Sequence, residues 1–143
     1  MILAVRHTGI VVGDMDKNLI FWRDIMGLVV VADFWEEGAF IDRLQHLNGV
    51  RLHMIKLAAP DGVIIELLHD ESHDRGENIK TEMCDAGIRH IAFTVENADG
   101  SWNKLRRNGY ETVSEPLISP DCRAKVFFAR DPERNLIELV QVL

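Results

Sequence analysis

Four side chains in this sequence have the types and the spacing to bind a divalent cation: His7, Glu66, His90 and Glu138. Each histidine stands in an apolar, strand-like run, Val5-Arg-His-Thr-Gly-Ile-Val-Val12 and Gly87-Ile-Arg-His-Ile-Ala-Phe-Thr-Val95. Each glutamate is embedded in another, Val63-Ile-Ile-Glu-Leu-Leu68 and Leu136-Ile-Glu-Leu-Val140. Strand alternation groups His7 with Gly9 and Val11, and His90 with Ala92 and Thr94, leaving Ile91, Phe93 and Val95 on the opposite face. The histidine face is small and the other bulky, as expected if the bulky side packs on a helix and the histidine side lines a cavity. Burying an ionised carboxylate among such apolar neighbours is costly unless it is neutralised, ion-paired or bound to metal. Taken singly, a strand histidine more often packs than ligates, and a lone glutamate more often pairs with an arginine. Two equivalent His and Glu pairs instead point to one divalent ion serving both carboxylates.

The equivalence is a property of the whole chain. His7 and His90 are 90 − 7 = 83 residues apart, as are Val12 and Val95; Glu66 and Glu138 are 138 − 66 = 72 apart, as are Arg51 and Arg123. Constant offsets within each segment mark an internal repeat, with a longer middle in the first copy. The elements that position the four residues follow from local pattern. Ile2 to Val12 reads as a strand, Gly13-Asp14-Met15-Asp16 as turn and N-cap, and Leu19, Trp22, Ile25 and Met26 as a helix stopping at Gly27. Leu28 to Phe34 reads as a strand, Glu36-Glu-Gly38 as a turn, Arg51 to Leu57 and Val63 to Leu68 as strands joined at Pro60-Asp61-Gly62. Phe40 to Gly49 has no decisive pattern. His69 to Asp85 is polar and reads as a linker with a short helix from Asn78 to Cys84. The order then returns: strand Ile88 to Val95, helix Ala98 to Arg107, strands Tyr110 to Val113, Arg123 to Phe128 and Leu136 to Val142. Each half is thus strand, helix and three strands, in a single domain with module one at 1–68, a linker at 69–86 and module two at 87–143.

Composition narrows the class. The 143 residues are 47% hydrophobic and 27% charged, with a formal net charge of −7. Scattered basic residues argue against nucleic acid as a partner, and no apolar run is long enough for a membrane span. A small-molecule ligand and a cytoplasmic location are expected. Cys84 and Cys122 have neither metal-ligand nor disulfide-framework spacing.

The two halves, Phe21-Trp-Arg-Asp-Ile-Met-Gly-Leu28, Gly87-Ile-Arg-His-Ile-Ala-Phe93 and Asp131-Pro-Glu-Arg-Asn-Leu-Ile-Glu138 resemble the vicinal oxygen chelate superfamily over nearly the whole chain. That group includes glyoxalase I, methylmalonyl-CoA epimerase, extradiol dioxygenases, fosfomycin-modifying enzymes and bleomycin-binding proteins. The resemblance implies an α+β fold in which two βαβββ modules form a cup-shaped, curved mixed sheet. It makes His7, Glu66, His90 and Glu138 the ligands of one divalent ion, whether zinc, nickel, cobalt, manganese or iron(II). It also implies a homodimer, in which the ligands meet within one chain or across two.

Such an ion stabilises the enediolate formed when a carbon acid bearing adjacent oxygens loses its proton. The resemblance favours Glu138 over Glu66 as the catalytic base. A glyoxalase-type lyase or isomerase acting on a carbonyl substrate is therefore expected. An acyl-CoA epimerase is the alternative to which Ile65-Glu-Leu-Leu-His69 is similar. A fourth protein ligand works against a dioxygenase, and the complete ligand set works against a non-catalytic binding protein. Arg51 and Arg123 are read as surface groups, His46, His69 and His73 as solvated, and Trp35, Phe34 and Phe127 as packing residues.

Overall fold

The computed structural model describes residues 1–76 and 82–143, and the chain divides into two compact units, Met1–Gly76 and Glu77–Leu143. In the first unit the order is β1 (Thr8–Val11), α1 (Met15–Leu19), β2 (Val29–Glu37), α2 (Ala39–Gln45), β3 (Arg51–Ala58) and β4 (Ile64–Asp70). A π-helical turn, Ile20–Ile25, continues α1. The second unit runs β5 (His90–Thr94), α3 (Ala98–Arg107), β6 (Leu117–Ile118), β7 (Ala124–Arg130) and β8 (Leu136–Val142). The sheets are ordered β1-β4-β3-β2 and β5-β8-β7-β6, each with one parallel pair, β1 on β4 and β5 on β8, and antiparallel pairs elsewhere.

Both helices that follow a first strand begin with the expected cap. Asp14 Oδ1 accepts from Lys17 N at 3.0 Å and Asn97 Oδ1 from Gly100 N at 2.8 Å, satisfying N–H groups that have no partner in a first turn. They end at Gly27 and Gly109, whose φ angles of 83° and 81° lie in the left-handed region open to glycine. The helix side of the first sheet buries Ile10, Val12, Ile55, Leu57, Ile65 and Leu67 with Phe21 and Trp22; the second buries Phe127, Ile137 and Leu139 with Leu105. Each such side chain contributes about 1.5–3 kcal/mol by leaving water.

Several expected boundaries move. Ile2, Leu3 and Val5 are 90%, 96% and 87% exposed and outside any strand. Strand β1 starts only at Thr8, because its partner β4 starts at Ile64 and Thr8 already faces Ile65. Strand β2 runs through the expected turn to Glu37, which pairs with Arg51 at the start of β3, and the chain turns at Gly38. The undecided segment from Phe40 onward is α2 to Gln45, the helix starting one residue earlier at Ala39. Instead of a strand at Tyr110 to Val113 there is one bridge, Thr112 to Ala129, and the edge strand is Leu117–Ile118, between Pro116 and Pro120. The helix expected at Asn78 to Cys84 falls largely outside the described residues, and Cys84 itself lies in a turn. No helix among the described residues is long and apolar enough to cross a membrane.

The turn before β8 is closed by Asp131, whose carboxylate accepts from Asn135 N at 2.8 Å and Asn135 Nδ2 at 2.9 Å. Burial pushes the Asp131 carboxyl up to about 6 despite these bonds. A group that holds its proton more tightly folded than unfolded favours the fold at low pH, and that contribution is lost as pH rises from about 4 to about 6. A rise of that size corresponds to about 3 kcal/mol. Urea unfolding at pH 4.5 and pH 7 should therefore show wild type losing stability relative to Asp131→Asn, whose amide oxygen can still accept from Asn135 N but which does not titrate. Parallel curves would remove Asp131 as the cause.

Candidate metal centre

Each unit brings together one histidine and one glutamate by the same local device. In the parallel pairs Gly9 stands opposite Glu66 and Ala92 opposite Glu138, while each histidine lies one same-face step earlier. The small residue leaves the carboxylate room to reach back to the imidazole. His7 Nε2 lies 3.1 Å from Glu66 Oε2, and His90 Nε2 lies 3.3 Å from Glu138 Oε2. On the histidine face Gly9, Val11, Ala92 and Thr94 are exposed, and the helices cover the other face. These separations suit two donors on neighbouring positions of one six-coordinate ion, which bonds of about 2.1 Å would place about 3 Å apart. Each unit thus offers, by itself, one imidazole and one carboxylate of the kind a divalent ion takes. Among the described residues no group of three or more His, Cys, Asp or Glu side chains is itself spaced as a metal centre.

The pairs differ on their other flank. Glu66 faces Lys56 across β3 and β4, and Lys56 Nζ lies 3.2 Å from Glu66 Oε1. Glu66 is only 7% exposed, so this ammonium offsets much of the cost of burying the charge. The same register in the second unit places Phe128 beside Glu138, its ring meeting His90 edge-on at 5.5 Å between centroids. Among the described residues Glu138 has no lysine or arginine partner. Lys56 escaped the sequence reading, although 128 − 56 = 72 is the offset that already aligns Glu66 with Glu138.

The remaining candidates are elsewhere. Ile41, Val50, Leu52 and Met54, with Phe34 and Leu68, form an apolar cluster through which α2 and the following loop cover part of the Glu66 face. Phe127 is core, as expected, and Trp35 stacks on His53 at 4.5 Å under the Arg51 guanidinium. Arg51 also pairs with Glu71, and Arg123 is exposed. His69 and His73 are not merely solvated: His69 Nδ1 bonds to Val12 O at 2.9 Å, and His73 bridges Asp70 and Asn48 O. Arg130, not singled out by sequence, is buried between Glu82, Glu111 and the Arg134 carbonyl. Both cysteines are free and exposed.

A duplicated βαβββ module carrying a histidine before the body of its first strand and a glutamate in its last defines a class. Residues 4–139 match the Glyoxalase/Bleomycin resistance protein/Dioxygenase superfamily, and the chain belongs to that family. It is 29% identical over 136 residues to a probable lactoylglutathione lyase of Synechocystis sp., covering 94% of this chain and 92% of that protein. It is 30% identical over 145 residues to a lactoylglutathione lyase of Schizosaccharomyces pombe, covering 95% of this chain but 46% of that longer protein. Among solved structures, a glyoxalase family protein from Bacillus cereus is similar with a TM-score of 0.90 and 25% identity, over 100% of this chain and 96% of that one.

Proposed function

We propose that this protein is a divalent-metal-dependent lyase or isomerase of the glyoxalase type, which moves a proton between adjacent carbons of a small carbonyl substrate. The observation that carries this reading is the repeated pair, His7 with Glu66 and His90 with Glu138, at 3.1 and 3.3 Å. His7, Glu66, His90 and Glu138 would hold the ion, within one chain or across two. When bound, the ion supplies Lewis-acid polarisation of two neighbouring substrate oxygens.

The chain's own residues divide the remaining work. Both oxygens of Glu66 are engaged, one by His7 and one by Lys56, so it is held as an anchor. Glu138 is the base: Oε2 is steadied by His90 and Oε1 is left to take a proton from the carbon beside the carbonyl and return it to its neighbour. Phe128 and Ala92 flank it without offering a cation that would hold the carboxylate away from its work. The names of the two lyase relatives put lactoylglutathione first among compounds to assay. An acyl-CoA epimerase is the second reading, favoured by the run Ile65-Glu-Leu-Leu-His69.

Protein purified without chelators should contain close to one equivalent of divalent metal, and less than about half would sink the site. Stripping the metal should lower Tm by about 10 °C relative to protein with metal 100-fold above Kd. Mixing His7→Ala with His90→Ala protein tests the homodimer: metal binding restored in the mixture means ligands drawn from two chains.

A further inference from the structure

We infer that His73 is a proton-dependent latch, which as an imidazolium ties the loop after α2 to the chain beyond β4 and on losing a proton loosens the cover that α2 forms over part of one sheet face. None of its groups is one of the four candidate ligands, so it stands apart from the metal reading. His73 Nε2 lies 3.1 Å from Asn48 O, and Nδ1 lies 2.9 Å from Asp70 Oδ2. A carbonyl oxygen can only accept, so Nε2 carries a hydrogen. Asp70 is a carboxylate: burial pushes its carboxyl up, but hydrogen bonds from Ser72 and then His73 outweigh this and hold it below the usual range. Ser72 Oγ, 3.1 Å from Nδ1, spends its own hydrogen on Asp70 Oδ1 while it accepts from Arg51 N. Nδ1 therefore carries a hydrogen too, and only the imidazolium has both.

The latch holds a wall of the first unit. Leu52, Met54 and Leu68 share one face of β3 and β4, and Ile41 of α2 and Val50 of the following loop pack with them. That loop turns through His46 and Gly49, at φ 58° and 69°, and Asp42 accepts from Gly49 N at 2.9 Å and Val50 N at 2.8 Å. Those bonds close the loop on itself, and the His73 bond to Asn48 O carries it across to the chain beyond β4. The charged groups acting on His73 among the described residues are Asp70 of β4 and Asp42 of α2, while the Arg51 guanidinium of β3 is turned to Glu71 and Trp35. Asp42 too is held below the usual carboxylate range, by the Gly49 and Val50 amides, so both acids keep their charge while the imidazole titrates. Histidine ordinarily changes charge between about pH 5 and pH 8. A bond that needs the added proton is present in acid and lost as the pH rises through that range.

Oxidation of methionine by dilute hydrogen peroxide, read by peptide mass spectrometry on the full chain, tests the latch. Met54 is 8% exposed in the cluster that α2 covers, and Met15, also 8% exposed but in α1, is the internal reference. Met54 should oxidise about tenfold faster at pH 8.5 than at pH 5.5, the effect of losing one hydrogen bond to a charged group, while Met15 keeps its rate. His73→Ala should show the fast Met54 rate at both pH values. His73→Arg, which carries donors for both acceptors without titrating, should show the slow rate at both. A Met54 rate in wild type that is independent of pH overturns the inference, as does a rise that Met15 shares, which marks general opening of the unit. A pH step that survives in His73→Ala overturns it as well and assigns the proton to another group.

Discussion

Glu138→Gln should lower the rate of proton exchange between substrate carbon and solvent by about 10²–10⁴-fold, the usual contribution of one positioned general base. The amide keeps the size of the side chain and a carbonyl oxygen facing His90, so the loss should persist when metal is added to saturation. That combination separates a base from a mere ligand. Glu66→Gln should show the opposite balance, because Glu66 engages both His7 and Lys56 and acts as an anchor. It should lose metal affinity first, with turnover falling only in proportion to metal lost. Deuterium incorporation measured by mass spectrometry at saturating metal decides the matter. Exchange persisting in Glu138→Gln within about tenfold of wild type assigns the base elsewhere.

Trp22→Ala should cost about 3–5 kcal/mol of folding stability, the largest loss expected from a single truncation in the first unit. Trp22 is fully buried on the helix side of the first sheet and meets Phe21 edge-on at 4.9 Å between ring centroids. Its removal leaves a cavity where the π-helical turn meets the strands. Against a total stability of about 5–15 kcal/mol, such a loss moves the urea midpoint strongly. Trp35→Ala is the comparison: 42% exposed, with its indole stacked on His53, it should cost about 1 kcal/mol. Similar midpoints for the two variants would mean that the helix side of this sheet is not the core that burial indicates.

Much of this arrangement is legible before folding. The strand Leu136 to Val142 and the helix Ala98 to Arg107 have their observed bounds, since each combines an unbroken pattern with clear punctuation at both ends. The βαβββ doubling is legible for the same reason, as the constant offsets survive the insertion that becomes α2. Less legible were the segments whose state depends on a partner. Ile2, Leu3 and Val5 have the composition of a strand, but no strand of the described residues extends far enough to pair with them. Glu36 and Glu37 have the composition of a turn, yet β3 offers them hydrogen-bonding partners and they pair. Tyr110 to Val113 is reduced to a bridge because β6 takes the edge of β7 farther along.

The sequence by itself determined which residues share a face. Side-chain alternation along a strand is a local property of the backbone, and it is enough to group His7 with Gly9 and His90 with Ala92. The two His and Glu pairs follow from that and from the repeat, and the family from the resemblance of the motifs around them. What only the tertiary structure decided is that the two pairs are unequal. The register between β3 and β4 sets an ammonium against Glu66, and the matching register between β7 and β8 sets a phenyl ring beside Glu138. Cross-strand register is a long-range choice made by the packing of whole sheets, so a residue's neighbour across a ladder is not written in its own segment.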